Sequence, residues 1–405
     1  MPAEHANRKE IARYLLSRGL DREPGAPTLL SAAHDPAARK PLAKVAYATP
    51  ADTPAPQPIA PAPSPDAPLP QADVIVITWT ADEADALAHV FTPGHAWRPA
   101  DKPASSATKA PWYAYAHNFA TFEQQIRSGA PARHAKRLAS FMPVKLGDLQ
   151  VLCMKSELHL NQDGIREKDA KGKSTGKATL PVKDFFKQII EESGAKHVFT
   201  IGTSGSVYDE FGLGDVVVTR AARFRCQEEF ANEPFNHTTY RSEWDLPKTR
   251  LKDAEALMQP FVGELAEPPV GPPSPEYGAG ELAAPSVRVP KIRLDDGHDM
   301  PAYHPILTTD YFEYGTTVNR LDSEGAAVEM GDAALGLACS ELPAAQRPRW
   351  AVVRNMSDPV INGELPAKRF HLNEQTTWAV GFYTAYGKFT SVLGAIVTWG
   401  IIRGL

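Results

Sequence analysis

The sequence predicts an α/β fold: a mostly parallel mixed sheet flanked by helices, with an N-terminal extension and inserts. Three observations predict it. Apolar, β-branched runs such as Val74-Ile75-Val76-Ile77 and Ala351-Val352-Val353 lack the alternation of a half-exposed strand, as expected of strands buried on both faces. Stretches with apolar residues at helical spacing alternate with these runs, and repeated strand–helix alternation gives a parallel sheet covered on both sides. Several runs also end in polar or glycine-rich residues, where open α/β sheets place their ligands.

The 405 residues allow two or three domains at ~100–200 residues each, or one large α/β unit with extensions. A hydrophobic fraction of 43% is enough for a sizeable core. The formal net charge of -5, without a long basic run, argues against a nucleic-acid partner held through phosphates. Cys153, Cys226 and Cys339 are widely spaced and the twelve histidines are dispersed without an HxxxH pair. Neither a disulfide frame nor a metal is expected, no other cofactor is called for, and a reducing cytoplasm fits. The start, MPAEHANRKEIARYLL, lacks the basic-then-apolar order of a signal peptide. The apolar run Phe389–Ile402 is shorter than the ~20 residues of a spanning helix, so a buried C-terminal helix and no membrane partner are expected.

In chain order, residues 8–19 place Ile11, Leu15 and Leu16 on one side of a short amphipathic helix. Nine prolines between Pro50 and Pro70 predict an extended, poorly ordered linker. Residues 1–70 therefore form an N-terminal helix and a Pro/Ala-rich linker, and the compact domain spans 71–405. Asp73–Thr78 is a central strand, followed by a helix with Leu87, Val90 and Phe91 inward and Thr80 or Asp82 as its N-cap. Residues 92–148 read as an insert in which WYAYAHNF alternates like a strand. Gln150–Met154 is a further strand, leading into KSELH. The Lys/Gly tract at 167–177 is a flexible loop and not a phosphate-binding P-loop, because no strand or upstream glycine feeds it. Pro181–Ser193 is a helix stopped by Gly194. The strand His197–Ile201 runs into a Gly202–Ser206 turn, and Asp215–Thr219 is the next strand. The proline and charge of 220–300 mark a second insert. A helix over Leu321 or Asp322 to Ser340, the strand Arg349–Met356 and a long helix from Asn373 complete the chain.

Candidate chemistry centres on VVRNMSDPV, a buried strand ending in Arg354, Ser357 and Asp358 with Pro359 blocking further pairing. Taken alone, Asp358 is a turn cap before proline. Three other segments accompany it: TWTADEADAL with Glu83, FTIGTSGSVYDEFGLGDVVV, and TDYFEYG leading to AAVEMGDAALG. In this order the four segments resemble the nucleoside phosphorylase and nucleosidase superfamily. They are most similar to bacterial purine nucleosidases such as methylthioadenosine/S-adenosylhomocysteine nucleosidase and AMP nucleosidase. The resemblance spans roughly residues 72–400, thinly through 92–148 and 220–300.

The resemblance implies a nucleoside phosphorylase-like domain and a set of roles. Asp358, oriented by Ser357, protonates or hydrogen-bonds the purine N7 so that the base leaves more readily. Glu83 matches the hydrolases' water-activating glutamate; its alternative is an acid favouring the helix dipole beside Asp82 and Asp85. Arg354 matches an arginine that helps hold that glutamate. Glu329 and Met330 match the sugar pocket, Glu329 as a ribose contact and Met330 packing under the sugar. Gly331 replaces a second glutamate, and Asp332, one position later, is turned away by ~100° on a helix and kept as a reserve ligand. Phe312 matches an aromatic that stacks on the base, with Tyr311 as substitute. Thr203, Ser204 and Gly205 would cradle an anion or the catalytic water. Phosphorylases of this kind carry an arginine before that turn; Thr200 stands there, which favours water as nucleophile. Lys155, Ser156, Glu157 and His159 are placed on the 5′ side of the sugar. Lys155 and the Arg220/Arg223/Arg225 group are candidates for a 5′-phosphate, with a solvated face as the alternative for the arginines.

The function expected is therefore an N-glycosidase that hydrolyses the base–ribose bond of a purine nucleoside or nucleotide, releasing adenine or a related base. The alternatives are a phosphate-dependent purine nucleoside phosphorylase and a non-catalytic purine nucleotide-binding module, the latter motivated by Gly331. Family likeness adds an expected homo-oligomer, and, because some relatives act so, a nucleotide-depleting role in bacterial stress or phage defence.

Overall fold

The computed structural model describes residues 53–97, 110–259, 289–358, 360–369 and 372–405. The helix expected at 8–19, the proline at 359 and the EPPVGPPSP stretch lie outside the described residues.

Four parallel strands form the centre: β2 (Val74–Thr78), β5 (Leu149–Ser156), β6 (His197–Gly205) and β13 (Arg349–Asp358), in the order β5-β2-β6-β13. Alternate residues of β2 face opposite sides: Val74 and Val76 enter one core, Ile75 and Ile77 the other. Both faces are dry, which explains the unbroken apolar run in the sequence. One face carries α1 (Ala81–Phe91), α3 (Leu251–Met258) and α5 (Glu374–Arg403); the other carries α2 (Pro181–Ser193) and α4 (Ala333–Glu341). Phe185, Phe186 and Ile189 of α2 are fully buried, each stabilising the fold by about 1.5–3 kcal/mol. Gly194 ends α2 with φ +64°, a backbone that side-chain-bearing residues rarely adopt.

The sheet has thirteen strands and is extended at both sides. Beyond β5 run β4 (Ala139–Leu146), then β1 (Ala55–Pro56) and β3 (Tyr113–Tyr115), all antiparallel pairings. Beyond β13 run β7 (Val216–Thr219) and β10 (Ile292–Leu294). The last residue of β6 also pairs with β12 (Val328–Glu329), which leads to β11 (Ile306–Thr308), β8 (Ala221–Phe224) and β9 (Thr239–Arg241).

Several expectations change. The proline-rich segment is docked from its described start: Gln57 N donates to the Pro143 carbonyl, Ile59 exchanges hydrogen bonds with the Tyr113 hydroxyl, and Leu69 is buried with its N–H on Glu192. The segments read as inserts supply strands of the sheet: β3 and β4 come from 92–148, and β8, β9 and β10 from 220–300. The Lys/Gly tract is a hairpin, Arg166–Lys168 against Ser174–Ala178. The Gly202–Ser206 turn is mostly strand, because β6 continues through Gly205 paired with β13, with a register shift between Ser204 and Gly205. The helix expected from Leu321 begins only at Ala333; a 3-10 turn at Leu321–Ser323 and the strand β12 precede it. Gly325, between the 3-10 turn and β12, packs closely: a Cβ there would lie 2.4 Å from Leu307 Cγ and 2.6 Å from the Pro305 carbonyl. No helix among the described residues is long and apolar enough to cross a membrane.

Candidate active site

Because the central strands are parallel, their carboxyl ends share one edge. Thr78 pairs with Lys155, and Gly205 with Asp358. This edge brings together Glu83, Thr203, Ser204, Gly205, Glu329, Asp332, Arg354, Ser357 and Asp358.

Glu83 sits in the first turn of α1. Thr80 caps that helix, and the two residues form a reciprocal capping box, so the helix-stabilising alternative is realised. The carboxylate does more than cap. Its Oε2 accepts from Thr78 Oγ1 (2.9 Å), Trp79 N (3.2 Å) and Thr80 N (2.9 Å), while Oε1 accepts from Thr203 N (2.9 Å) and Thr203 Oγ1 (3.0 Å) on β6. Burial works to raise its pKa, but the Arg354 charge and the donors of Thr80, Thr203 and Thr78 outweigh it and hold Glu83 below the usual carboxylate value. Glu83 is a buried, ionised carboxylate.

Arg354 is buried at the middle of β13. Its Nε and Nη2 form a bidentate pair with Asp332 (2.8 and 2.6 Å), Nη2 also meets Glu329 Oε2 (3.1 Å), and Nη1 donates to the Thr203 carbonyl (3.1 Å). The Arg354 guanidinium lies 4.8 Å from the Trp79 ring centre. Asp332 therefore does not point away, as a continuous helix would require. The helix starts after it, and Asp332 converges with Glu329 on the same guanidinium. Glu329 is held by the Thr308 hydroxyl and by Asp332 N (3.0 Å). Burial and then the Asp332 charge push its carboxyl well up. Gly331 is filled from across the site: a Cβ there would lie 3.4 Å from Trp79 Cζ2 and 3.7 Å from Glu329 Oε2. Trp79 therefore lies in van der Waals reach of position 331.

Gly202 allows Glu83 and Arg354 to approach the strand. A Cβ on it would stand 2.5 Å from Arg354 Nη1 and 2.6 Å from Glu83 Oε1. Thr203 N–H is committed to Glu83 and Ser206 N–H to the Asp358 carbonyl (2.9 Å), so these groups anchor the site's own residues and do not form an open anion cradle. Ser204 Oγ reaches the Asn355 carbonyl at 3.4 Å.

Asp358 ends β13. Ser357 Oγ donates to its Oδ1 (3.1 Å), and its Oδ2 has no hydrogen-bond partner among the described residues. Burial raises its pKa to about 7, against the smaller opposing effect of Ser357. The loop after β11 folds over this position. The Glu313 carbonyl and Asp358 Oδ2 would each lie 3.8 Å from a Cβ on Gly205, and Gly315 packs onto the Ser206 carbonyl. Phe312 is on this loop, 39% exposed, with its ring 6.0 Å from Tyr314. Tyr311 is committed elsewhere: its hydroxyl meets Glu313, Arg225 Nη1 (2.7 Å) and Gln227 Nε2 (2.7 Å). Met330 is half-buried beside Glu329. Arg220 is buried against Asp295, and Arg225 is tied to Glu313 and Glu324, so these two arginines do not form a solvated face.

Sequence reasoning missed Thr78, Trp79, Thr308 and Tyr383. The first two are neighbours of Glu83, and an eye on every polar residue at a strand end would have found Thr78 and Thr308. Tyr383 of α5 had no local signal. Its phenol is raised by burial and then by the charges of Glu83, Asp82 and Asp358, which places it beside both catalytic candidates.

No protein-family model and no curated protein sequence matches the chain. Solved structures do. One is the 5'-methylthioadenosine/S-adenosylhomocysteine nucleosidase of Neisseria meningitidis in complex with methylthio-immucillin-A: 13% identity, 82% of this chain and 99% of that chain covered, TM-score 0.41. A second is the futalosine hydrolase of Helicobacter pylori, with 12% identity, 82% and 99% coverage and TM-score 0.42. A third is a putative 5'-methylthioadenosine/S-adenosylhomocysteine nucleosidase of Francisella philomiragia, with 10% identity, 82% and 98% coverage and TM-score 0.40.

Proposed function

We propose that the chain hydrolyses the N-glycosidic bond of a purine nucleoside or nucleotide. One observation carries this: two buried carboxylates at one sheet edge whose surroundings push their proton affinities in opposite directions. Asp358 is held up to about 7 and Glu83 below its usual value. Their anchor positions, Thr203 and Gly205, are two residues apart on β6, roughly 7 Å along the strand. Asp358 gives its proton to the purine N7 as the C1′–N9 bond breaks and its electron pair passes to the base. The sugar becomes cationic, and the Glu83 charge stabilises it. Water adds at C1′, and its proton passes to Glu83. A carboxylate already accepting five hydrogen bonds is a weak base, so its larger contribution is to place the water and to balance the developing positive charge. Glu329 and Met330 border the sugar, and Phe312 covers the base.

Water is favoured over phosphate as nucleophile because β6 carries no cation two positions before Gly202, where Thr200 stands buried. The test is a panel of adenosine, methylthioadenosine, AMP, ATP and their guanine counterparts, with free base measured by chromatography with and without phosphate. Phosphate-independent release is expected. Release that needs phosphate and yields ribose 1-phosphate would establish the phosphorylase, and binding without any release would establish a non-catalytic module. Homo-oligomerisation and nucleotide depletion in phage defence belong to the same proposal and are tested by light scattering and by nucleotide pools in expressing cells.

A further inference from the structure

The loop after β11 carries Phe312, and its side-chain contacts pair each residue with the next but one, as in an extended chain whose side chains alternate between two sides. Tyr311 and Glu313 form one pair. The Tyr311 hydroxyl donates to Glu313, and both accept from Arg225 Nη1, Tyr311 at 2.7 Å. Phe312 and Tyr314 form the other pair, with ring centres 6.0 Å apart. The Tyr314 hydroxyl reaches Gln375 Oε1 (3.2 Å) and Asn373 Oδ1 (3.4 Å) at the start of α5. Phe312 therefore stands between two neighbours held by one guanidinium. Arg225 is itself fixed by the backbone. It follows β8, whose Phe224 pairs with Thr308 of β11, and its N–H donates to the Thr308 carbonyl (2.8 Å). Its Nε donates to Glu324 (3.1 Å), so two carboxylates, Glu313 and Glu324, share its charge. Gln227 Nε2 is a second donor to the Tyr311 hydroxyl (2.7 Å), and Asp310 accepts from the N–H groups of Gln227 (2.8 Å) and Phe230 (2.9 Å). Burial, and then the bond to Glu313, raise the Tyr311 phenol, so it keeps the hydrogen that it gives to Glu313.

The far end of the loop is tied beside Asp358. The Gly315 carbonyl accepts from Ile361 N (2.9 Å), three residues after Asp358, and the Glu313 carbonyl lies with Asp358 Oδ2 over Gly205. The chain between these anchors is short, so the hold of Arg225 on Tyr311 and Glu313 decides where Phe312 stands relative to Asp358. We infer that Arg225 is a positioning residue for base binding: through Tyr311 and Glu313 it fixes the loop so that Phe312 is in place before the purine arrives. This rests on the nucleosidase reading, in which Phe312 covers the base. Without the cation, Glu313 and Glu324 are neighbouring like charges and repel. The loop is then freed, and the entropy of ordering it opposes binding.

The test is a double-mutant cycle read by calorimetry with adenine, a neutral probe of the base site alone. Phe312→Ala is expected to weaken adenine binding by roughly 5- to 100-fold, the worth of one base–aromatic stack. Arg225→Met is expected to weaken it by a similar factor, and the double variant no further than Phe312→Ala, because one residue acts through the other. Tyr311→Phe keeps the Arg225–Glu313 pair. It is expected to lose roughly threefold, the worth of a neutral hydrogen bond, and to lose nothing more when Phe312 is already alanine. In base release from adenosine, KM is expected to rise in Arg225→Met by more than kcat falls. Losses that multiply in the double variants overturn the inference, as a merely structural ion pair would give them. So does wild-type affinity in both Arg225→Met and Tyr311→Phe. Where Arg225→Met fails to fold, the Tyr311→Phe cycle decides alone. A wild-type chain that neither binds adenine nor releases base overturns the nucleosidase reading and this inference with it. A wild-type chain that binds adenine while the variants bind it equally well overturns this inference alone.

Discussion

Asp358 has two consequences of opposite sign. Its carboxyl must hold a proton to assist the departing base, so kcat/KM is expected to fall as pH rises through about 7. Its folded pKa is raised above the ordinary value of 3.8, so its contribution to stability is fully present below pH 3.8 and is lost as pH rises through about 7. Asp358→Asn cannot ionise. It is expected to lose roughly 10²–10⁴-fold in kcat while its Tm falls less than that of the wild type between pH 5 and pH 8. A flat pH–rate profile with an active Asn variant would remove Asp358 from the chemistry. Asp332 behaves differently. It holds a buried guanidinium bidentately, and Asp332→Ala strands that charge; a loss of about 3–5 kcal/mol in denaturant unfolding is expected. Residue identities at the site were legible because Asp358, Glu83 and Arg354 end or follow apolar runs. The role of Asp332 was not, because it depends on where a helix begins, and the strand pairing of Val328–Glu329 with β11 delays that start to Ala333.

The element that joins the site is β6. It receives Glu83 from one side and Arg354 from the other, and both come within hydrogen-bonding range only because residue 202 has no side chain. Gly202→Ala is expected to separate them, costing about 1–3 kcal/mol in stability and a larger share of kcat than of substrate affinity. A variant with wild-type kinetics would show that the two charges need not approach. The sequence identified β6 by its apolar start but closed it at Ile201, because glycine, serine and threonine ordinarily mark turns. Tertiary pairing with β13 overrides that local preference and carries the strand four residues further. By contrast α2 matches its sequence bounds, since Pro181 at its first turn and Gly194 after its last are physical start and stop signals.

At the scale of the molecule, the boundary read from composition cuts through packed structure. A chain beginning at Gln71 would lose the β1–β4 pairing, the Ile59–Tyr113 hydrogen bonds and the buried Leu69. It is expected to melt lower, by several degrees, than a chain beginning at Thr53, as differential scanning calorimetry would measure. Equal melting temperatures would mean that the proline segment adds no stability. Proline content suggested a spacer because proline cannot donate to a ladder. It did not reveal that a segment with so few donors can still be accepted by a sheet that needs only one side of it.

That asymmetry has a consequence for solubility. β1 is an edge strand that shares the rim of β4 with β3, and Pro54, Pro56 and Pro58 lack backbone N–H groups. The outward side of β1 therefore offers an incomplete template to a second sheet, while its inward side covers the rim of β4. The segment acts as a selvedge, a finished border that stops the weave from extending into a neighbouring molecule.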